Sequence, residues 1–391
     1  MRRDIMHYFD NAATTKVRDE ALNAMLPFLK DGYGNPSSFH AMGREARTAV
    51  ENARNEIAKT INAAPDEIIF TSGGTEANNL ALKGIARRAK FRGKTHIITS
   101  AFEHHAVLHP LKTLEKDGFS LTVLPVSPDG FVDPAAVSEA IREDTALVSI
   151  MYANNEVGTV QPIAEIGKIC REKGVIFHTD AVQAFGHCEI DVKAQNIDAL
   201  SISGHKIYAP KGVGALYLKK GVNAAPLIEG GAQERFRRSG TESVPLIVAF
   251  GEAAKLAMAE MKEQNVKMLK KRDKLMDFIL NEIPKTRLNG DRNRRLPGNV
   301  NISFDGIEGE SILLWLDLNG VCASSGSACT SGSLDPSHVL LALGLPHETA
   351  HGSIRFSFGR FNTDEDVDFV IKTLPGIIKK LRKMSPVWEE S

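Results

Sequence analysis

The stretch Ile197-Asp198-Ala199-Leu200-Ser201-Ile202-Ser203-Gly204-His205-Lys206 is a short apolar run closed by a small, polar, lysine-ended tip. The same form appears upstream, where Gly174-Val175-Ile176-Phe177-His178-Thr179-Asp180 ends in an aspartate with Gln183 just beyond. Short apolar runs bounded by turn residues are what strands covered on both faces look like in sequence. On this pattern strands are expected at Glu67–Thr71, Thr95–Thr99, Ser120–Pro125, Ala146–Met151, Val175–Thr179, Ala199–Ser203 and Gly214–Leu218. Helical stretches lie between them at Thr75–Lys90, His104–Lys116, Pro134–Arg142 and Ile163–Lys173. Strands alternating with helices predict an α/β fold with a mainly parallel seven-stranded sheet sandwiched by helices.

Beyond Val244 the pattern changes. A long amphipathic stretch from Val244 to Asn281 bridges to a smaller α+β unit. That unit is read from strand-like Gly298–Phe304 and Ser353–Phe358 and from helices at Glu310–Leu318 and Asp364–Met384, with the first residues of the chain packing alongside. The expected division is a large ligand-binding unit over 16–260 and a small unit made of 1–15 plus 261–391.

At 391 residues the chain is long enough for more than one domain. Lys plus Arg equals Asp plus Glu at 48 each, and this neutral balance gives no sign of nucleic-acid or membrane-surface binding. Met1-Arg2-Arg3-Asp4-Ile5-Met6-His7 has no apolar core of a signal peptide, and no run is long enough to span a bilayer. The four cysteines, Cys170, Cys188, Cys322 and Cys329, match no zinc spacing and are too few for a disulfide framework. Reduced thiols in the cytoplasm are the simplest reading, and no metal site is expected.

Polar residues collect where the apolar runs end. One run ends in Thr71-Ser72-Gly73-Gly74-Thr75-Glu76, others in Glu103-His104, in Asn154-Asn155, in Asp180 and in Ser203-Gly204-His205-Lys206. In open α/β sheets ligands bind outside the carboxyl ends of the strands. Gly73-Gly74-Thr75 opens a helical pattern, where glycines let the backbone approach a phosphate and the helix N-terminus offers free N–H groups. Ser203 and His205 are placed to hold the same group. Alone, Lys206 also fits a solvated strand end, and Asp180 an N-cap. Together they suit pyridoxal phosphate, with Lys206 as the Schiff-base lysine and Asp180 keeping the ring nitrogen protonated. An ion pair at ~4 Å and an effective dielectric of about 20 is worth roughly 4 kcal/mol, enough for that task.

His104 opens a helix at such a tip, suited to stack on the ring or move a proton. His105 and His109 have metal-like spacing, but surface histidines are the preferred reading because no acidic or thiol partner with zinc-motif spacing stands nearby. Arg355, in the alternating run Gly352–Phe358, offers a bidentate fork for a substrate carboxylate; a structural salt bridge is the alternative. Ala323-Ser324-Ser325-Gly326-Ser327-Ala328-Cys329-Thr330-Ser331-Gly332-Ser333 is small and polar, the composition of a mobile loop. A cysteine there reads as chemical, whereas Cys170 and Cys322 read as core and Cys188 as ambiguous. Half of that loop, fully extended, reaches ~20 Å.

These segments resemble the NifS/IscS-type cysteine desulfurases, fold-type I pyridoxal-phosphate enzymes of the class-V aminotransferase group. The resemblance runs nearly end to end, through Phe9–Thr15, Tyr33–Ser38, Thr71–Asn79, Ala153–Thr159, His178–Gln183, Gly204–Lys206, Arg238–Thr241 and Ser325–Cys329. It implies that Lys206 carries the cofactor, Asp180 pairs with its ring nitrogen and His104 stacks on it. Gln183 and Asn155 would lie near the phenolic oxygen, and Gly74, Thr75, Ser203 and His205 would hold the phosphate. Thr241 would join them from the second subunit of a homodimer, and Arg355 would bind the substrate carboxylate. The implied reaction converts L-cysteine to L-alanine and a persulfide on Cys329, with sulfur passed to an iron–sulfur scaffold protein or another acceptor. The ending Leu381–Trp388 is similar to nitrogen-fixation-associated members. Selenocysteine lyase, or a related lyase or aminotransferase on the same scaffold, is the alternative reading. A catalytically inactive sulfur- or cluster-binding partner is another, which the presence of Lys206 argues against.

Overall fold

A computed structural model describes residues 6–325, 336–386 and 388. The expected strands form one sheet of seven, Ile68–Thr71, His96–Ser100, Ser120–Leu124, Thr145–Ser149, Ile176–Asp180, Ala199–Ser203 and Gly214–Leu218. From edge to edge the strands starting at residues 68, 214, 199, 176, 145, 96 and 120 lie side by side. All neighbouring pairs are parallel except those made by Gly214–Leu218, which runs antiparallel to both flanking strands. The physical reason is chain length. The short link after Ser203 cannot hold the crossover of a dozen or more residues that a parallel neighbour needs.

Helices cover both faces. On one, Gly74–Lys90 and His105–Lys116 bury Leu80, Ile85, Val107 and Leu111 against Ile97, Leu147 and Leu216. On the other, Ala41–Thr60, Ile163–Glu172 and the first half of Val244–Glu282 enclose Phe70, Val148, Phe177, Ile202 and Phe250. Burying a side chain such as Phe250 fully contributes about 1.5–3 kcal/mol. The helices Asp19–Lys30 and Ala41–Thr60 lie outside the sequence expectation. The second buries Ala46, Val50, Ala53 and Ile57 at helical spacing, a stripe of mostly small residues that is weak as a hydrophobic signal.

A second core gathers Phe9, Met268, Leu275, Ile279, Ile302, Phe356 and Val370. It lies between the sheet of Ser353–Ser357, Asn299–Phe304 and Thr286–Leu288 and the helices Gly309–Leu318 and Asp364–Met384. The first residues of the chain join it, since His7–Tyr8 pairs with Val321–Cys322. Val244–Glu282 is one continuous helix feeding both cores. Val339, Leu340, Leu343 and Leu345 return to the first core, although they follow residue 261.

Candidate active site

The parallel strands end at one edge, and there the chain encloses a cavity of about 480 Å³. Thr71, Gly214 and Ser203 form a row across three strands, and Asp180 ends the next strand. Gly73 caps the helix Gly74–Lys90 at φ +156°, ψ −178°, a conformation accessible essentially to glycine. A Cβ on Gly74 would stand 2.6 Å from Val182 Cγ2, and one on Gly214 2.7 Å from the Gly73 backbone. These glycines allow the helix N-terminus to reach the cavity wall.

Of the residues singled out from sequence, Gly74, Thr75, His104, Asn155, Asp180, Gln183, Ser203, His205, Lys206 and Arg355 all line this cavity. Gly73 flanks it as the cap of the helix. Thr241 is exposed and is not in the wall. Cys329 lies outside the described residues.

Lys206 sits on the single turn Gly204–Lys206 and donates to the carbonyls of Ala12 and Ala13. Gln183 Nε2 donates to Ala12 O at 2.9 Å, and Thr15 Oγ1 to His205 O at 2.9 Å, so residues 12–15 wall the lysine in. Asp180 is buried and held on both oxygens, by Asn78 Nδ2 at 2.6 Å and the Val182 N–H at 3.0 Å. Asn78 lies one helical turn beyond Gly74, so one helix serves both ends of the cavity. His104 caps the next helix, its Nδ1 accepting from the Ala106 N–H at 3.0 Å; in a neutral ring that assigns the proton to Nε2. His205 is pushed down to about 4 by burial and then by the Lys206 and Lys211 charges, which makes it a neutral hydrogen-bonding group near pH 7.

Arg355 is buried in the strand Ser353–Ser357. Its Nη1 donates to Asn155 O at 2.9 Å and its Nη2 to Asp10 Oδ1 at 3.0 Å. It therefore has the structural partner weighed from sequence, and its Nε has no partner among the described residues. Among the described residues, Ser203 Oγ and Asn155 Oδ1 are likewise buried without a protein partner. Asn78 Oδ1 and His105 Nδ1 in the same wall bring the number to five, and since buried polar groups are normally satisfied, such a cluster around one cavity points to a bound polar ligand.

Sequence reading missed two buried acids. Glu103 Oε1 accepts from Ser100 Oγ at 2.5 Å and from the Met151 N–H at 2.9 Å, tying two strand tips together beside His104. Burial pushes its carboxyl up to about 8. Glu156, in the cavity wall, accepts from Ser337 Oγ at 2.5 Å, and burial pushes it up to about 7. Their place next to His104 and Asn155 was the available signal, but an acid in a strand-end turn reads first as solvated.

His105 is not a surface residue. It lines the cavity, stacked on His109 at 4.8 Å and packed against His338 at 4.7 Å between ring centres. Burial pushes it down to about 4. His109 is exposed, as expected. Burial raises the thiols of Cys170 and Cys188 to about 12, and raises that of Cys322 as well.

A family model described as aminotransferase class-V matches residues 7–370. Cysteine desulfurase IscS of Clostridium botulinum (strain Kyoto / Type A2) is 55% identical over 385 residues, covering 98% of this chain and 97% of that protein. The chain belongs to the class-V aminotransferases and, within them, to the IscS/NifS cysteine desulfurase family. Another IscS relative, from Methanosarcina thermophila, is 56% identical over 380 residues, covering 97% of this chain and 94% of the other. A solved structure titled NifS-like protein superposes with a TM-score of 0.91 at 39% identity, covering 96% of this chain and all of that one. Family members use pyridoxal phosphate, and the donor set fits that group: a glycine-lined helix start with the unpartnered Ser203 hydroxyl, a buried carboxylate and a cavity-lining lysine.

Proposed function

We propose that the chain is a pyridoxal-phosphate-dependent cysteine desulfurase that converts L-cysteine to L-alanine and leaves the sulfur as a persulfide on Cys329. The carrying observation is that Lys206, Asp180, Arg355 and the Gly74–Thr75 helix start face one cavity. Gly74 and Thr75 backbone N–H groups with Ser203 and His205 would hold the phosphate. Asp180 would hold the ring nitrogen, and Lys206 Nζ the aldehyde carbon, with His104 against the ring. When bound, the cofactor supplies an electron sink for the substrate Cα.

The chain's own groups supply the rest. Arg355 directs its guanidinium at the substrate carboxylate, with Asp10 and the Asn155 carbonyl fixing the plane of the fork. Lys206 Nζ, once released from holding the aldehyde, takes the Cα proton. His104 presents Nε2–H from a ring locked by its own cap. The attack on the substrate sulfur falls to Cys329, because burial holds the other three thiols protonated at neutral pH. Cys329 is four positions beyond Ser325 in the sequence, a chain length that spans at most ~14 Å. Ser324, one residue further back, pairs with Arg355 itself.

The persulfide sulfur would then pass to an iron–sulfur scaffold protein or another acceptor. A cytoplasmic homodimer in which the partner subunit supplies a threonine equivalent to Thr241 completes the proposal. Exposed Leu22, Leu26 and Leu29 recur at i, i+4 and i+7 along the helix Asp19–Lys30, and this apolar stripe supports a covered face. The test is alanine release from cysteine together with borohydride trapping. The parent protein should release alanine and yield a cofactor-labelled Lys206 peptide, and Lys206→Ala should do neither. Trapping on any other lysine would refute the assignment.

A further inference from the structure

We propose that Glu156, acting through Ser337, is a positioning residue that fixes the chain emerging from the Cys329 segment onto the substrate cavity and so governs sulfur transfer to that cysteine. The inference rests on the functional reading above and adds a role for two residues that the reaction itself does not use.

Glu156 and Ser337 both line the cavity, and both are buried. The Ser337 hydroxyl donates to Glu156 Oε2 at 2.5 Å and accepts from the N–H groups of Val339 and Leu340 at 3.1 and 3.3 Å. One hydroxyl thus joins the start of the turn His338–Ala342 to a carboxyl in the cavity wall. Glu156 is rigid in its turn. Asn154 Oδ1 accepts from the N–H groups of Glu156 and Val157, and Asn299 and Asn301 both donate to the Glu156 carbonyl. The adjacent Asn155 carbonyl accepts from Arg355 Nη1.

The upstream end of the segment is tied to the same network. Ser324 N–H donates to Arg355 O at 3.2 Å, and Arg355 N–H donates to Ser324 O at 2.7 Å. His338 adds a second downstream tie, its Nε2 lying 2.9 Å from the Glu103 carbonyl. The arginine assigned to the substrate carboxylate and the acid that holds Ser337 are therefore neighbours through one asparagine. Substrate seating and the attachment points of the sulfur-accepting segment share one frame. Burying a carboxyl is costly, which sets the Glu156–Ser337 contact apart from an ordinary surface hydrogen bond.

The experiment uses the full-length holoenzyme and three variants: Ser337→Ala, Glu156→Ala and Glu156→Gln. Three quantities are read: the cysteine concentration giving half the absorbance change, the single-turnover rate at which one sulfur atom appears on Cys329 by mass spectrometry, and amide exchange across 337–341. Both alanine variants should slow sulfur appearance about tenfold, the effect of losing one buried hydrogen bond. Half-saturation should stay within about twofold, because Arg355 is untouched. Exchange at Val339 and Leu340 should quicken. Glu156→Gln keeps an acceptor oxygen and should restore most of the rate. Parental rates in both alanine variants would overturn the inference, as would a Gln variant as slow as Glu156→Ala. Alanine formation by the parent with no sulfur on Cys329 would overturn the functional reading itself, a separate and distinguishable result.

Discussion

Replacing Glu103 by glutamine should shift stability in the variant's favour as pH rises. The carboxyl is fully buried, and desolvation pushes it up to about 8 against the opposing hydrogen bonds from Ser100 and Met151. In the unfolded chain a glutamate loses its proton near ~4.3. Between that value and about 8 the folded protein keeps a proton that the unfolded chain has lost, so stability falls as pH rises through this window and the loss is complete above it. At about 1.4 kcal/mol per unit the ceiling is roughly 5 kcal/mol, and relaxation around the ion brings the expected range to about 2–5 kcal/mol. Glutamine keeps an acceptor for Ser100 and Met151 and removes the ionisation. Its amide N–H₂ replaces Oε2, which has no partner among the described residues, a cost of about 1–3 kcal/mol that does not depend on pH. The observable is therefore the change in the gap between the two proteins. Urea unfolding from about pH 5 to about pH 9 should move that gap by roughly 2–4 kcal/mol toward the variant. Glu156 is shared by both proteins and cancels. Parallel stability curves across this range would show that Glu103 does not hold a proton in the folded state, and the reasoning about the buried acid would fail.

Three further outcomes follow from the cavity. Arg355→Lys keeps charge but loses the fork, and kcat/KM for cysteine should fall by about 10- to 100-fold, the worth of charge-assisted bonds; an unchanged value in steady-state assays would remove Arg355 from substrate binding. Gly74→Ala places a methyl 2.6 Å from Val182 Cγ2, so cofactor affinity, read by absorbance titration of the apoprotein, should drop; unchanged affinity would mean that the helix start is not the phosphate cradle. Asn78→Ala removes the 2.6 Å donor to Asp180 and leaves that carboxylate, among the described residues, with the Val182 N–H. The pH at which the bound cofactor's absorbance changes should move, while Asn79→Ala, at a half-buried neighbour whose amide donates to Thr75 O rather than to Asp180, should leave it in place.

The sheet was readable because its strands are short, continuous apolar runs, and Ile97, Ile98, Leu147, Val148, Leu200 and Ile202 are all buried. The polar tips were readable for the complementary reason. Asp180, Ser203 and Lys206 interrupt such runs where a core residue would have continued them. The partners of these groups were not readable. Ala12 and Ala13 offer only carbonyls to Lys206, and nothing in two alanines announces that. Asn78 reads as one more polar position on an amphipathic helix until Asp180 is found opposite it. Glu156 and Ser337 stand 181 positions apart in the chain, and only folding brings them together. The helix Asp19–Lys30 was obscured by Pro27 and by Leu22, Leu26 and Leu29, which are exposed rather than buried.

The measurement that bears most directly on the central claim is the mass of the Cys329 peptide after the purified holoenzyme meets L-cysteine without an acceptor or reductant. The account predicts one added sulfur atom on Cys329, none on Cys170, Cys188 or Cys322, and alanine formed in equal amount. Alanine produced at the full rate by Cys329→Ser, with that peptide unmodified in the parent, would contradict it.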